Sequence, residues 1–417
     1  MKRWLAVFTA LSLLLLILVP ACGGGEEERT PTPTPTTTVT LVPTPTSTLT
    51  PTVTPTPTTA GPVKIGAIIA WSGPMAMAGV LADQIIALVE EEVKNMGGIL
   101  GGRQVKFIRG DDRGMIAEAA GEAKKLILDE KVSVLTLGGE SVAHSNAIAD
   151  VAEQLKVPYV AFALTPDVAA RKYCACLYSL ASLCDRVANF VADVVKPKTL
   201  AWLAYDTEDP HHLIDGFEGV VGARDRWKAK GIDMVYEQYF PQGTVDFSPY
   251  LTKIKYLKPD LLVTYLNDVG QAIAINRQIM ELGGWGNIKY FCATESGTAK
   301  AAINMPAAIG TYIAVDWLPG SDDPGMKAFE DAFTQKYGRA PTPELTLFYN
   351  AFWTAIKAIE LAGTDDPIKV AQALRSGKLK WDSAWGRLSI GTDGIGEVTL
   401  IVAQVQEGGK LIKVWPQ

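Results

Sequence analysis

The chain has 417 residues and a net charge of −6 at pH 7, from 39 Lys and Arg against 45 Asp and Glu. That mild acidity comes without any Lys/Arg cluster, so the chain lacks the electrostatic footprint of a nucleic-acid-binding protein. The length exceeds what one small core accommodates and predicts two domains of ordinary size in the folded part.

Lys2 and Arg3 precede an apolar run from Leu5 to Val19, and Val19-Pro20-Ala21-Cys22 follows. A run of about 15 residues is shorter than the ~20 a membrane-spanning helix needs, which predicts a signal peptide over residues 1–21. A cysteine directly after a small residue resembles a bacterial lipobox, in which Cys22 becomes the new N-terminus and carries lipid. From there to residue 61 the chain is a tether. Its Thr30 to Thr59 stretch is almost entirely Thr and Pro and buries too little apolar surface to offset the entropy of ordering. In extended polyproline II form, about 30 residues reach about 90 Å, enough to hold a domain off a membrane. No other segment is long and apolar enough to cross a bilayer.

The folded part opens with Val63 to Ile69, a short apolar run that reads as a buried parallel strand. A helix follows from Met77 to Met96, stopped by Gly97-Gly98. Then come strand Gln104 to Ile108, helix Met115 to Asp129, strand Val132 to Leu137, helix Ala143 to Leu155 and strand Val157 to Phe162. A second series runs from strand Leu200 to Ala204 through a helix ending before Gly231. It continues with strand Met234 to Gln238, helix Ser248 to Leu257, strand Leu261 to Tyr265, helix Gly270 to Leu282 and strand Ile288 to Cys292. Such alternation predicts an α/β architecture of two doubly wound parallel sheets. Beyond Trp317 the pattern turns helical, over Gly325 to Tyr337, Glu344 to Ala362 and Pro367 to Leu374, before a strand-rich tail from Trp385. These helices need a sheet to pack on, so the chain is expected to return to the first lobe and finish on the second.

Four cysteines remain: Cys174, Cys176, Cys184 and Cys292. One of Cys174 and Cys176 is spaced to pair with Cys184 in an oxidising compartment, with buried thiols as the alternative. Their spacing matches no usual zinc pattern, and the adjacent His211 and His212 point apart at a helix start. No Gly-X-Ser-X-Gly elbow marks a hydrolase, and Gly97 to Gly102 leaves a helix instead of opening one, the wrong polarity for a phosphate loop. Neither an enzyme nor a cofactor is expected.

Ser72-Gly73-Pro74 after the first strand, Asp111-Asp112 after the second and Val157-Pro158 form an ordered series. It continues with Lys258-Pro259-Asp260, Gly270-Gln271, Trp385-Gly386-Arg387-Leu388 and Thr392-Asp393-Gly394. In order and spacing, over nearly all of 62–417, the chain resembles the leucine/isoleucine/valine-binding protein family, the type I solute-binding proteins of ABC importers. The resemblance implies two Rossmann-like lobes joined by a three-segment hinge, 62–182 with 318–397 and 183–317 with 398–417, closing on a small molecule between them. It also implies a monomer that hands its ligand to a transporter permease, with no chemistry of its own. The same fold serves as a ligand-sensing ectodomain, so a receptor for amides or other small carboxylates and amines is the alternative.

By the same resemblance, the ligand carboxylate is held by Ser141 and Thr165, and its ammonium by the carbonyl of Ala163 and the carboxylate of Glu295. A helix N-terminus with hydroxyl donors suits a carboxylate, although Ser141 and Thr165 also read as ordinary helix caps. Glu295 follows a strand end, where a carboxylate meets a cation with water partly excluded. The aromatic positions of the family fall here on Ala78, near Asp209 and around Glu344-Leu345. Trp71, Tyr265 and Asn267 are expected as walls, and Asp209 as an added acid permitting a longer, polar or cationic ligand.

Overall fold

The computed structural model describes residues 61–138, 141–162, 166–217, 219–241, 243–399 and 401–416. The expected signal peptide, Cys22 and the tether up to residue 60 lie outside the described residues, as do Ala163 and Thr165. The first series comprises β1 (Val63–Ile69), α1 (Met77–Asn95), β2 (Val105–Asp111), α2 (Ile116–Leu128), β3 (Val134–Leu137), α3 (Val142–Leu155), β4 (Tyr159–Ala161), α4 (Pro166–Ala170) and β5 (Cys174–Cys176). The second comprises α5 (Leu180–Asn189), β6 (Thr199–Tyr205), α6 (Glu208–Asp215), β7 (Gly216–Phe217), β8 (Val220–Val221), α7 (Ala223–Ala229), β9 (Asp233–Phe240), α8 (Ser248–Leu257), β10 (Leu261–Tyr265), α9 (Val269–Glu281), β11 (Lys289–Cys292), α10 (Lys300–Ile303) and β12 (Tyr312–Val315). Last come α11 (Pro324–Tyr337), α12 (Pro343–Ala362), α13 (Pro367–Leu374), β13 (Lys380–Ser383), β14 (Gly386–Ile390), β15 (Gly396–Glu397), β16 (Ile401–Val405) and β17 (Leu411–Trp415).

The first sheet is parallel throughout, in the order β2-β1-β3-β4-β5. Six of the seven β1 residues are buried, as expected of an apolar strand covered by helices on both faces. The second sheet runs β17-β16-β12-β11-β10-β6-β9, with β16 and β17 joined to it by antiparallel pairings. After β12 the chain returns to the first sheet, where α12 packs on α1, β3 and β4. Phe352 meets Phe107 with ring centroids 4.5 Å apart. Tyr349 and Trp353 donate hydrogen bonds of 3.1 and 3.0 Å to the carboxylate of Glu92, whose pKa burial holds above the usual carboxylate value.

The chain therefore passes between the sheets three times, near Leu177–Ser179, Asp316–Pro319 and Val398–Thr399. The first and third passages run side by side, with the amide of Cys176 donating to Gly394 at 2.9 Å. A Cβ on Gly396 would collide with the carbonyl oxygen of Leu177, so only glycine allows this approach. The second passage is tied to α5, where the buried Arg186 lies 2.5 Å from Asp316.

Three sequence expectations need correction. The helix expected to end before Gly231 is two helices, α6 and α7, separated by the β7–β8 hairpin. Gly216 starts that hairpin at φ +85°, a left-handed conformation that terminates α6. The strand-rich tail begins at Lys380, ahead of Trp385. Finally, neither Cys174 nor Cys176 pairs with Cys184, because all three are free and buried. Cys174 belongs to the core under the first sheet, whereas Cys184 lies in the second lobe's core near the carbonyl of Leu213. Burial pushes their thiols up, Cys174 and Cys184 to about 12 and Cys176 to about 11.

Candidate functional site

Open parallel sheets bind ligands beyond the carboxyl ends of their strands. Here those ends carry Tyr178 after β5, Tyr205 as the last residue of β6 with Asp209 beyond it, Tyr265 as the last residue of β10 with Asn267 beyond it, Glu295 after β11 and Asp316 after β12. A cavity of ≈ 800 Å³ opens beside two of them, Asn267 and Glu295, and is also walled by Trp317, Ile303, Glu344 and Leu411 among others. It thus touches the second series, the second passage and the start of α12. A shallower depression of ≈ 630 Å³ follows the outer edge of β2, away from the strand ends.

Glu295 is half-buried and accepts a 2.8 Å hydrogen bond from the backbone amide of Asp316. Burial raises its pKa to about 8, and the neighbouring Asp316 carboxylate pushes in the same direction. Opposing this are the Asp316 amide and the Arg186 guanidinium, while Glu344 adds to the rise. Tyr178 stands edge-on to Trp385 at 5.2 Å. Burial raises its hydroxyl strongly, and the charges of Asp316, Glu295 and Asp209 add to that rise against Arg186. Tyr205 and Tyr265 lie 5.7 Å apart with planes inclined at 35°. Burial also raises Asp209, opposed by His212, and Asp209 in turn acts on both tyrosines. These residues form one electrostatic neighbourhood of four carboxylates, three phenols and one guanidinium already engaged by Asp316.

The expected site residues therefore divide. Glu295 and Asn267 border the cavity, and Tyr265 and Asp209 belong to the adjoining cluster. Ser141 is exposed and caps α3, with its hydroxyl 2.8 Å from Nδ1 of His144. The preceding strand end is strained, since Leu137 holds φ +78°. Trp71 packs over Gly79 and donates its indole N–H to Asp83 at 3.0 Å, on the first sheet alone. Ala78 leaves its position without an aromatic ring, and His211 stacks on Tyr239 and meets Asp206 at 2.9 Å. Sequence reasoning missed Tyr178, Tyr205, Arg186 and Asp316. Tyr178, Tyr205 and Asp316 share one signal, placement at or just after a strand end, whereas Arg186 lies within α5 and carries none.

A profile of the family described as periplasmic binding protein matches residues 62–410. "Leu/Ile/Val-binding protein homolog 7" of Brucella abortus (strain 2308) is 24% identical over 379 residues, covering 85% of this chain and 91% of the relative. A leucine binding protein from Thermotoga maritima MSB8 is 25% identical with a TM-score of 0.64, over 84% of this chain and 97% of that one. The solute binding protein of an ABC transporter from Rhodopseudomonas palustris BisB5, in complex with 3,4-dihydroxy benzoic acid, is 23% identical with a TM-score of 0.68, over 84% of this chain and 96% of that one. The resemblance read from the sequence is borne out: the chain belongs to the periplasmic binding protein family, whose members capture solutes outside the cytoplasm for ABC transporters.

Proposed function

We propose that the chain is a lipid-anchored solute-binding protein of an ABC importer that captures an amino acid or close relative between its lobes. Lobe 1 is 62–182 with 318–397, and lobe 2 is 183–317 with 398–417. Cys22 carries the lipid, the Thr/Pro tether provides reach, and the monomer delivers its ligand to a permease. Closure is favoured because only the closed state offers contacts from both lobes at once. In this reading Ser141 and Thr165 hold the ligand carboxylate, and the Ala163 carbonyl and Glu295 hold the ammonium. Tyr265, Asn267 and Asp209 frame the rest, with Trp71 at the margin.

The observation that carries the proposal is Glu295. A half-buried carboxylate at a strand end, beside a second carboxylate and on the wall of an ≈ 800 Å³ cavity, calls for a cation. Its bond to the Asp316 amide ties that cation to a passage between the lobes. A thermal-shift screen of amino acids, amides, small carboxylates and polyamines tests the proposal, because a ligand bound by the folded state raises the melting temperature. Stabilisation by an amino acid is the expected result. Stabilisation only by compounds without an ammonium group, such as the dihydroxybenzoate of the Rhodopseudomonas palustris protein, would remove the amino-acid assignment.

A further inference from the structure

Glu295 borders the ≈ 800 Å³ cavity and, in the same position, accepts the 2.8 Å hydrogen bond from the backbone amide of Asp316. Asp316 is the first residue beyond β12, where the second passage leaves the second sheet. A wall of the cavity and a passage between the sheets are therefore joined by one hydrogen bond. Interlobe rotation is absorbed by backbone dihedrals at a few residues in such passages. A bond to an amide there restricts the dihedrals the passage can adopt.

Asp316 is in turn held on other sides. Nη1 of the buried Arg186 donates to its carboxylate at 2.5 Å and to the carbonyl of Val315 at 3.4 Å, which ties the passage to α5. Helix α5 starts directly after the first passage. The next residue, Trp317, stands edge-on to Phe329 of α11 with ring centroids 6.3 Å apart, and α11 packs on α1. The third passage is fixed against the first by the Cys176 amide and by the close approach at Gly396. From Glu295, a contiguous set of bonds and packed rings thus reaches all three passages and both sheets.

We propose that Glu295 is a latch of the hinge as well as a wall of the site. Its bond to the Asp316 amide holds the empty protein at its resting interlobe angle. Cargo that engages the same carboxylate reaches the passage through that bond, so capture and hinge bending are coupled at one side chain. The cargo half of this inference rests on the solute-binding reading above. The latch itself is a property of the empty protein, so the two can fail separately.

Two substitutions isolate the bond, because glutamine keeps an acceptor oxygen for the amide and leucine, of similar size, keeps none. Spin labels attached through Thr342→Cys and Lys300→Cys, both exposed on the cavity rim, report the opening by pulsed electron paramagnetic resonance. The background is the full chain carrying Cys22→Ser, measured without ligand. Glu295→Gln should keep the distance distribution of that background. Glu295→Leu should change the ratio of its open and closed populations by about fivefold, the worth of one such hydrogen bond. A Glu295→Leu distribution matching the background would overturn the latch. So would a Glu295→Gln distribution displaced as far as that of Glu295→Leu. If Glu295→Leu does not fold, Glu295→Ala is read in the same way, and rapid hydrogen exchange at the wild-type Asp316 amide would overturn the latch without any variant. The thermal-shift screen answers separately for the solute-binding reading.

Discussion

Glu295 should make the empty protein less stable as pH rises. In an unfolded chain its carboxyl titrates near 4.5, whereas in the fold burial and Asp316 raise it to about 8. Below the lower value the group is protonated in both states and contributes nothing to the pH dependence. Between the two values the folded protein retains a proton that the unfolded chain has released, so raising the pH favours unfolding until the folded group has titrated too. Each tenfold difference in proton affinity between the two states is worth about 1.4 kcal/mol, which sets a ceiling of about 5 kcal/mol. A half-buried site is screened more than a dry interior, which brings the expected loss between pH 5 and pH 8.5 to about 2 kcal/mol. Urea unfolding of ligand-free wild type and Glu295→Gln at several pH values measures the difference, since the amide cannot titrate. An ammonium ligand reverses the balance by demanding the carboxylate. Its affinity should rise from pH 6 to pH 8, and binding at pH 7 should release about one proton. The groups facing Glu295 are Asp316, Arg186, Glu344 and Tyr178, and substituting glutamine leaves all four in place. An unchanged pH slope in Glu295→Gln, or ligand affinity independent of pH, would refute the reasoning.

Other outcomes follow from single contacts. Arg186→Met leaves Asp316 buried without its partner and should cost about 3–5 kcal/mol in urea unfolding; adding Asp316→Leu should recover much of that loss. Gly396→Ala forces apart two neighbouring passages between the lobes and should cost about 1–3 kcal/mol, with a parallel loss of ligand affinity in calorimetry. Trp353→Phe removes one of two donors to the half-buried Glu92 and should cost about 1–2 kcal/mol at pH 8. Because burial raises the Glu92 pKa, that cost should shrink as the pH is lowered and the carboxyl takes up its proton, and melts of both proteins over a falling pH series would show it.

Much of the fold is legible because parallel strands covered on both faces must be apolar throughout. Val63 to Ile69 and Leu261 to Tyr265 advertise themselves in this way. The β7–β8 hairpin is not legible, since two-residue strands carry no period and Gly216 reads as any helix-ending glycine. At the site, Glu295 stands out because an acid so soon after an apolar strand is conspicuous. Asp316 and Arg186 do not, because their pairing spans 130 residues and depends on how the lobes are connected. Tyr178 follows a three-residue strand too short to mark its own end. The cysteines mislead for a related reason: closeness in sequence between Cys174 and Cys184 hides their assignment to different cores.

That separation of the cysteines has a practical side. Cys174, Cys176, Cys184 and Cys292 are all buried, and burial holds each thiol above its ordinary pKa, far from the thiolate that reacts. Maleimide dyes should therefore pass over the native folded region. A secreted version beginning at Gly61 could carry one engineered cysteine at the exposed Thr342, on the cavity rim, and be labelled there alone. The thiols that form no staple leave the protein chemically silent, ready to become a single-dye optical sensor for its own cargo.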